Sequence, residues 1–163
     1  INTPDLPTPK SSYQNGLKTI KNFLTDKVGI QGTFTLVSGS GLEAGNRFSA
    51  QQVVKLLSYM KNKPEIFPEF LTSLPRSGLT GTLHKRFNSY PQLEDLQGKI
   101  RAKTGTLSQP VSISSLAGYF HHPEHGMVAF AILQNGTRGK KQPSLLDLQL
   151  SQELTIANIW QTI

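Results

Sequence analysis

Lysine, threonine and glycine follow one another at positions 103 to 105, inside an alternating segment that is typical of a β-strand. On a strand, Lys103 and Gly105 face one side, and Thr104 and Thr106 face the other. The lysine offers a charge to a carboxylate, the threonines offer hydroxyl groups, and a backbone N–H beyond the glycine could stabilise an oxyanion. A strand glycine often marks close approach by a ligand or another backbone. The pattern indicates either the binding edge of a serine acyl-transfer site or an ordinary strand with a surface lysine.

A serine nucleophile in such a site is often followed by a lysine in the pattern S-x-x-K. The chain contains this pattern once, at Ser58 and Lys61. These residues fall at the C-terminal end of a predicted helix whose other residues are typical of a core. The position does not favour Ser58 as the nucleophile.

Histidines offer a second kind of chemistry. The segment "HHPEH" brings together His121, His122, Glu124 and His125, and such residues can bind a metal ion. A tight hairpin turn explains them without a metal, so we expect no metal site. His84 is isolated and is expected at the surface, and the glycosylation pattern at Asn135 is also an ordinary turn sequence.

Composition narrows the class of protein. The 163 residues fit one folded domain, or most of one, and carry 36% apolar residues and a net charge of +7. The basic residues are scattered rather than gathered in one patch, which argues against a nucleic-acid partner. No cysteine is present, so thiolate chemistry is excluded, and no apolar run is long enough to cross a bilayer. The chain begins at Ile1 without a signal peptide, so we expect a processed or truncated piece.

The elements that would position these residues follow from apolar periodicity and turn signals. Residues 1–10 are predicted to form an extended lead-in because they are rich in proline. Helices are predicted over residues 12–27, from Ser49 with a capping box to Gln52, between Pro64 and Pro75, and over 144–163. A strand-like run is predicted over 32–41, and three strands over 99–106, 112–120 and 127–134, the last two forming a hairpin. This order of helices and strands predicts an α+β fold.

Four blocks of sequence together resemble a known family. In chain order they are "SGSGLEAGNRFSAQQVVKLL", "FLTSLPRSGLTGTLHKRF", "KIRAKTGTLSQPVSISSLAGYF" and "GMVAFAILQNG". They are similar to the C-terminal part of the class C, type-4 low-molecular-mass penicillin-binding proteins, which are periplasmic D-alanyl-D-alanine carboxypeptidases and endopeptidases. The resemblance covers roughly residues 30–163. It implies that residues 11–163 form the C-terminal part of a transpeptidase-like domain, with a β-lactamase-like antiparallel sheet flanked by helices.

The resemblance also implies roles for single residues. Lys103 would help to position the nucleophile and bind a substrate carboxylate, and Asn46 would belong to the catalytic group. Thr104 and Thr106 would bind the substrate beside Gly105, with the Thr106 N–H in the oxyanion hole. The nucleophilic serine would lie upstream of Ile1, in a missing N-terminal portion that is then a partner of this chain. The implied substrate is a peptidoglycan peptide, the implied inhibitors are β-lactams, and no cofactor is implied.

One position departs from the family pattern. The middle motif of the family has a working serine just after the leucine, where "SGLEAGN" has Glu43, while Ser40 and Asn46 are kept. A carboxylate there could pair with Lys103 or act as an acid or base, or it could mark a site that binds without turnover. Three alternatives therefore stand: an active peptidoglycan DD-peptidase, a peptidoglycan-binding relative without turnover, and a basic polymer-binding module without a cleft.

Overall fold

A computed structural model describes residues 9–43 and 45–163 of the chain. The chain forms two compact units, residues 1–48 and residues 49–163. No helix among the described residues combines the length and the apolar character that a membrane span requires.

The first element among the described residues of the first unit is helix α1, Pro9–Asn22, which continues as a π-helical turn, Phe23–Lys27. Proline is tolerated in the first turn of a helix because the N–H groups there have no intrahelical partner. The helix predicted over residues 12–27 is therefore present and begins earlier than expected. The lead-in predicted over residues 1–10 lies outside the described residues, apart from Pro9 and Lys10, which belong to α1.

The prediction of a strand over residues 32–41 is wrong. The segment makes only one isolated antiparallel bridge, in which Thr35 and Arg47 exchange both backbone hydrogen bonds. Beyond that bridge the side chain of Asn46 binds the backbone of residues 37 and 38. These side-chain hydrogen bonds use backbone groups that would otherwise pair with a neighbouring strand.

The second unit contains the remaining helices and all three strands of the sheet. Helix α2 begins after Ser49, whose hydroxyl accepts from the Gln52 N–H while the Gln52 side chain accepts from the Ser49 N–H. This capping box confirms the predicted start of the helix. The elements are α2 Ala50–Lys61, α3 Phe67–Ser73, a 3₁₀ turn Gly81–Leu83, α4 Pro91–Glu94, β1 Ile100–Leu107, β2 Ile113–His122, β3 Gly126–Asn135 and α5 Leu145–Thr162.

The three strands form one antiparallel sheet in the order β1-β2-β3. Lys103 stands opposite Ala117, Gly105 opposite Ser115, and Ala117 opposite Ala131. The predicted meander and its closing hairpin are confirmed. Together with the flanking helices, the sheet confirms the α+β fold class.

Each face of the sheet packs against helices, because strand residues alternate between faces. On one face Ile100, Leu116 and Phe120 pack with Ile156 of α5 and with Leu83. On the other face Tyr119 packs with residues of α2 and α3, which are Leu57, Val53, Phe67, Phe70 and Leu71. Helices thus cover both faces of the sheet, and the buried residues of β1 are Ile100 and Ala102, in its first half.

Candidate functional site

The triplet from Lys103 to Gly105 lies on β1, an outer strand of the sheet in the second unit. Lys103 and Thr106 are exposed, whereas Thr104 and Gly105 are partly covered. The alternation expected from the sequence holds, since Arg101, Lys103 and Gly105 share the sheet face that α3 covers.

The outer edge of β1 is covered along its first half only. The Ala102 N–H donates to the Pro75 carbonyl at 3.0 Å, and the Ser77 N–H donates to the Ile100 carbonyl at 3.0 Å. Backbone groups on an antiparallel strand alternate in direction, so the N–H groups of Thr104 and Thr106 point to the same outer edge as that of Ala102. Within the second unit no backbone carbonyl accepts from either of them. This half of the edge thus offers two N–H donors.

The Lys103 ammonium lies at the same outer edge. Its Nζ donates to the Thr104 carbonyl oxygen at 2.5 Å, which curls the side chain toward that edge. No carboxylate of the second unit lies within ion-pair distance of it. A cation beside two backbone N–H groups is an arrangement that can hold a carboxylate and stabilise a developing oxyanion.

The threonine hydroxyls differ in their surroundings. Thr104 Oγ1 donates to Thr82 Oγ1 at 2.8 Å, so the strand is tied to the 3₁₀ turn that precedes it in the chain. Thr106 is exposed and stands opposite Ser114. Nothing in the sequence pointed to Thr82, because its contact with β1 depends on the tertiary fold.

Gly105 is approached by a side chain from the neighbouring strand. A Cβ atom at this position would lie 2.5 Å from Ser115 Oγ, and that hydroxyl donates to the Gly105 carbonyl oxygen at 3.3 Å. Because position 105 has no side chain, the Ser115 hydroxyl of the neighbouring strand fits beside it. Once β1 and β2 are placed as an antiparallel pair, their register is the signal that identifies Ser115.

Ser40, Glu43 and Asn46 belong to the first unit, whereas Lys103, Thr104, Gly105 and Thr106 belong to the second. Asn46 Oδ1 accepts from the N–H groups of Val37 at 2.8 Å and Ser38 at 3.1 Å, while its Nδ2 donates to the Ser38 carbonyl oxygen at 2.8 Å. Both acceptor positions of the amide are used and one donor remains. The Asn46 side chain thus fixes the backbone conformation of the loop on which it lies.

Ser40 and Glu43 lie on that same loop. Ser40 Oγ is 2.9 Å from Ser38 Oγ, so Ser40 is joined to Asn46 through Ser38. The carboxylate at Glu43 is exposed. The structure therefore brings Ser40 and Asn46 into one hydrogen-bonded loop with Glu43 at its surface.

The S-x-x-K pattern lies on the surface of α2. Ser58 is exposed, and Lys61 Nζ donates to the Met127 carbonyl oxygen of β3 at 2.8 Å. The lysine thus links α2 to the sheet. Lys61 therefore has a structural role.

The histidine segment closes the hairpin between β2 and β3. His122 is buried, and its Nδ1 accepts from the N–H groups of Glu124 at 3.2 Å and His125 at 3.3 Å. Its ring also contacts Trp160. Across the described ranges, no group of three or more His, Cys, Asp or Glu side chains is arranged to hold a metal ion.

Comparison with known proteins gives one family and several relatives. The model of the D-Ala-D-Ala carboxypeptidase 3 (S13) family matches residues 5–153. A D-alanyl-D-alanine carboxypeptidase of Actinomadura sp. is 38% identical over 64% of this chain and 19% of its own length. A penicillin-sensitive carboxypeptidase A of Dictyostelium discoideum is 28% identical over 82% of this chain and 22% of its own, and a carboxypeptidase of Mycobacterium tuberculosis is 31% identical over 71% and 25%. The chain spans 19% to 25% of the length of these relatives.

Proposed function

Because the chain belongs to the D-Ala-D-Ala carboxypeptidase 3 (S13) family, we propose that it forms one wall of a D-alanyl-D-alanine carboxypeptidase site. The reaction proceeds through a serine acyl-enzyme, and the substrate is a peptidoglycan peptide. β-Lactams trap the same serine. The site of action is the bacterial cell envelope, where peptidoglycan is found. The serine lies in a segment outside residues 1–163.

The observation that carries this proposal is the outer edge of β1. The Lys103 ammonium and the N–H groups of Thr104 and Thr106 converge there, and no other backbone segment of the second unit covers them. An extended peptide can add to such an edge as a further strand. Its terminal carboxylate then meets the lysine, and its scissile carbonyl oxygen meets the Thr106 N–H.

The proposed reaction follows from this placement. The serine hydroxyl attacks the carbonyl carbon between the two D-alanines and gives its proton to a neighbouring base. The carbonyl oxygen becomes an oxyanion, which the Thr106 N–H stabilises. The C–N bond then breaks, the terminal D-alanine leaves with a proton, and a serine ester remains. Water hydrolyses that ester and regenerates the serine.

A second candidate function is peptidoglycan binding without turnover. It is favoured by Glu43, which stands where the family has a working serine. An exposed carboxylate at this position cannot supply a serine hydroxyl to the proton-transfer steps. In this alternative the β1 edge holds the peptide, and hydrolysis of the acyl-enzyme is slow or absent.

The experiment that tests the proposal compares Lys103→Ala with Lys140→Ala, a control in an exposed loop. We expect Lys103→Ala to lower the second-order rate constant for acylation of the native protein by a penicillin about 100-fold, because a fixed charge at the site is lost. The control is expected to acylate like the wild type. Stopped-flow or mass-spectrometric time courses measure both.

The same experiment separates the alternatives. Equal acylation rates for Lys103→Ala and wild type contradict the proposal. A basic polymer-binding module predicts a different result: Lys103→Ala leaves binding of peptidoglycan unchanged, and salt alone abolishes that binding. Faster release of the acyl group in Glu43→Ser than in wild type supports the relative without turnover.

A further inference from the structure

A half-open pocket of about 210 Å³ lies on the sheet face that α3 covers. It is lined by Arg76, Gly98, Arg101, Tyr119 and Met127, among others, and not by Lys103 or Thr106. Arg101 and Lys103 are two residues apart on one strand, so the pocket lies beside the site described above but is distinct from it.

Two arginines stand opposite each other at this pocket. Arg76 and Arg101 form an isolated antiparallel bridge, flanked by the backbone hydrogen bonds from Ser77 to Ile100 and from Ala102 to Pro75. A pair placed between such bonds is of the closer type, with Cα atoms about 4.5 Å apart. Like charges directly opposite each other are destabilising.

Backbone contacts hold both guanidinium groups in place. Arg76 Nε donates to the Gly98 carbonyl oxygen at 2.6 Å, and one Arg101 nitrogen donates to the carbonyl oxygens of Leu74 at 3.3 Å and Thr72 at 3.4 Å. Each guanidinium has five N–H donors, so most of them are not used by these bonds. The two groups therefore present fixed donors rather than mobile charges.

Gly98 makes room for the first of these groups. Its φ is +71°, and a Cβ atom there would lie 3.3 Å from a terminal nitrogen of Arg76. Glycine adopts this backbone conformation at no steric cost. A larger residue would be strained and would press on the guanidinium.

No acidic side chain of the second unit forms an ion pair with either arginine. Lys99 also lines the pocket, but its ammonium lies over the Trp160 ring, 5.0 Å from the ring centre. The Tyr119 hydroxyl donates to the Leu57 carbonyl oxygen at 2.7 Å, and burial raises the pKa of Tyr119 to about 12. The phenol thus stays neutral, and the charge of the arginine pair is not balanced by a neighbour.

The rest of the pocket lining consists of two apolar residues and His121 of β2. Leu71 of α3 and Met127 of β3 lie beside the ring of Tyr119. An oxyanion attached to an apolar group would match both parts of the pocket: the oxygens would face the guanidinium groups, and the apolar part would contact Leu71 and Met127.

We propose that this pocket is a second binding site, which takes a small ligand with a carboxylate or phosphate group on an apolar body. The guanidinium forks of Arg76 and Arg101 bind the oxyanion, because this geometry suits two parallel hydrogen bonds. Binding also relieves the repulsion between the two arginines. The site does not depend on the proposed peptidase function.

The test is a ¹H–¹⁵N NMR titration of the full chain with hexanoate, hexyl phosphate and hexan-1-ol. We expect the amides of Gly98 and Arg101 to shift saturably with one or both anions, and not with the neutral alcohol. Tighter binding of hexanoate would identify a carboxylate as the ligand group, and tighter binding of hexyl phosphate would identify a phosphate. Absence of saturable shifts with both anions overturns the proposal.

Variants connect the binding to the arginine pair. Arg76→Gln and Arg101→Gln are each expected to weaken binding roughly tenfold, as for loss of a charge-assisted hydrogen bond. Arg101→Lys, which keeps the charge and loses the fork, covers the case in which Arg101→Gln does not fold. Arg138→Gln, in an exposed loop, is the control. Equal weakening by the control shows a diffuse charge effect and contradicts the proposal.

Discussion

At position 105 the space that a side chain would fill already holds a hydroxyl group. Ser115 Oγ occupies it from the neighbouring strand. At Gly118, one strand across, an added Cβ would instead overlap the backbone carbonyl of Arg101. A hydroxyl can rotate away, whereas a strand backbone cannot move without disturbing its ladder. The two glycines therefore differ in how strictly they are required.

This difference can be measured through unfolding free energies. We expect Gly105→Ala to cost about 1 kcal/mol and Gly118→Ala to cost about 3 kcal/mol or more. Adding Ser115→Ala to Gly105→Ala is expected to recover most of the loss, since the next atom of residue 115 lies 3.9 Å from the new Cβ. Denaturant unfolding gives the values. Similar costs for both glycines, with no recovery, would show that the Ser115 contact is not the cause.

Tyr119 gives a prediction about pH. Its buried hydroxyl has a pKa raised to about 12 from 10.0. A raised pKa means that the folded protein holds the proton more tightly than the unfolded chain, so the stabilisation is complete below pH 10 and is lost as the pH rises toward 12. We expect the free energy of unfolding to fall over this range in wild type and to change less in Tyr119→Phe.

Ultraviolet absorbance of the phenolate provides a direct check on Tyr119. The difference between the titration curves of wild type and Tyr119→Phe isolates this one residue. That difference is expected to titrate near pH 12. A difference that titrates near pH 10 would mean that the phenol is not buried as described.

At the scale of elements, a buried polar cluster joins helix α5 to residues 86–87, which lie between the 3₁₀ turn and α4. Arg86 Nε donates to Glu153 Oε1, its NH2 donates to the Gln149 carbonyl oxygen at 3.0 Å, and the Phe87 N–H donates to Glu153 Oε2 at 3.1 Å. Both charged residues are buried. Gln152 Nε2 continues the cluster to Ser114 of β2 at 3.0 Å. Residues 86–87, α5 and the sheet are thereby fixed to one another.

Removing one charge of the Arg86–Glu153 ion pair is expected to lower the free energy of unfolding more than removing both charges. Glu153→Gln leaves Arg86 as an uncompensated buried charge, so we expect a loss of about 3 kcal/mol in unfolding free energy. The double variant Arg86→Met with Glu153→Leu is expected to recover much of this loss, because neither charge is then buried. Calorimetry or denaturant unfolding tests the order. A double variant that is less stable than Glu153→Gln would contradict this account of the cluster.

The sequence was informative where local signals and the fold agree. Helix α2 starts where the capping box from Ser49 to Gln52 places it, and the strands follow their alternation within a residue or two. The run over residues 32–41 was strand-like too, but Asn46 binds its backbone from eight or nine residues further along the chain, and strand periodicity does not reveal such a contact. Helix α4 is a single turn, too short for periodicity to reveal.

The same limit applies to the site. The Lys-Thr-Gly triplet and its alternation were readable, because they depend on one strand. The open half of the β1 edge could not be predicted, because it depends on how far along β1 the pairing with residues 75–77 extends. The arginine pair of the second pocket was missed for the same reason, since Arg76 and Arg101 are brought together only by tertiary pairing.

At the scale of the whole molecule, the chain spans 19% to 25% of the length of the relatives that it matches. Within the second unit, β3 pairs with β2 alone, so both outer edges of the sheet have unpaired backbone groups. Such edges pair readily with a further strand. We propose that the β1 edge is reserved for the substrate peptide, and that the serine that attacks it comes from outside residues 1–163.

The most direct measurement is the intact mass of every polypeptide in the natively produced protein after incubation with a penicillin, followed by mapping of the modified peptide. The account predicts one β-lactam adduct on a serine outside residues 1–163, with every peptide from those residues unmodified. An adduct on Ser58, or on any other serine of this chain, would contradict the placement of the nucleophile. Absence of an adduct from a protein that contains the longer polypeptide would contradict the acylating site itself.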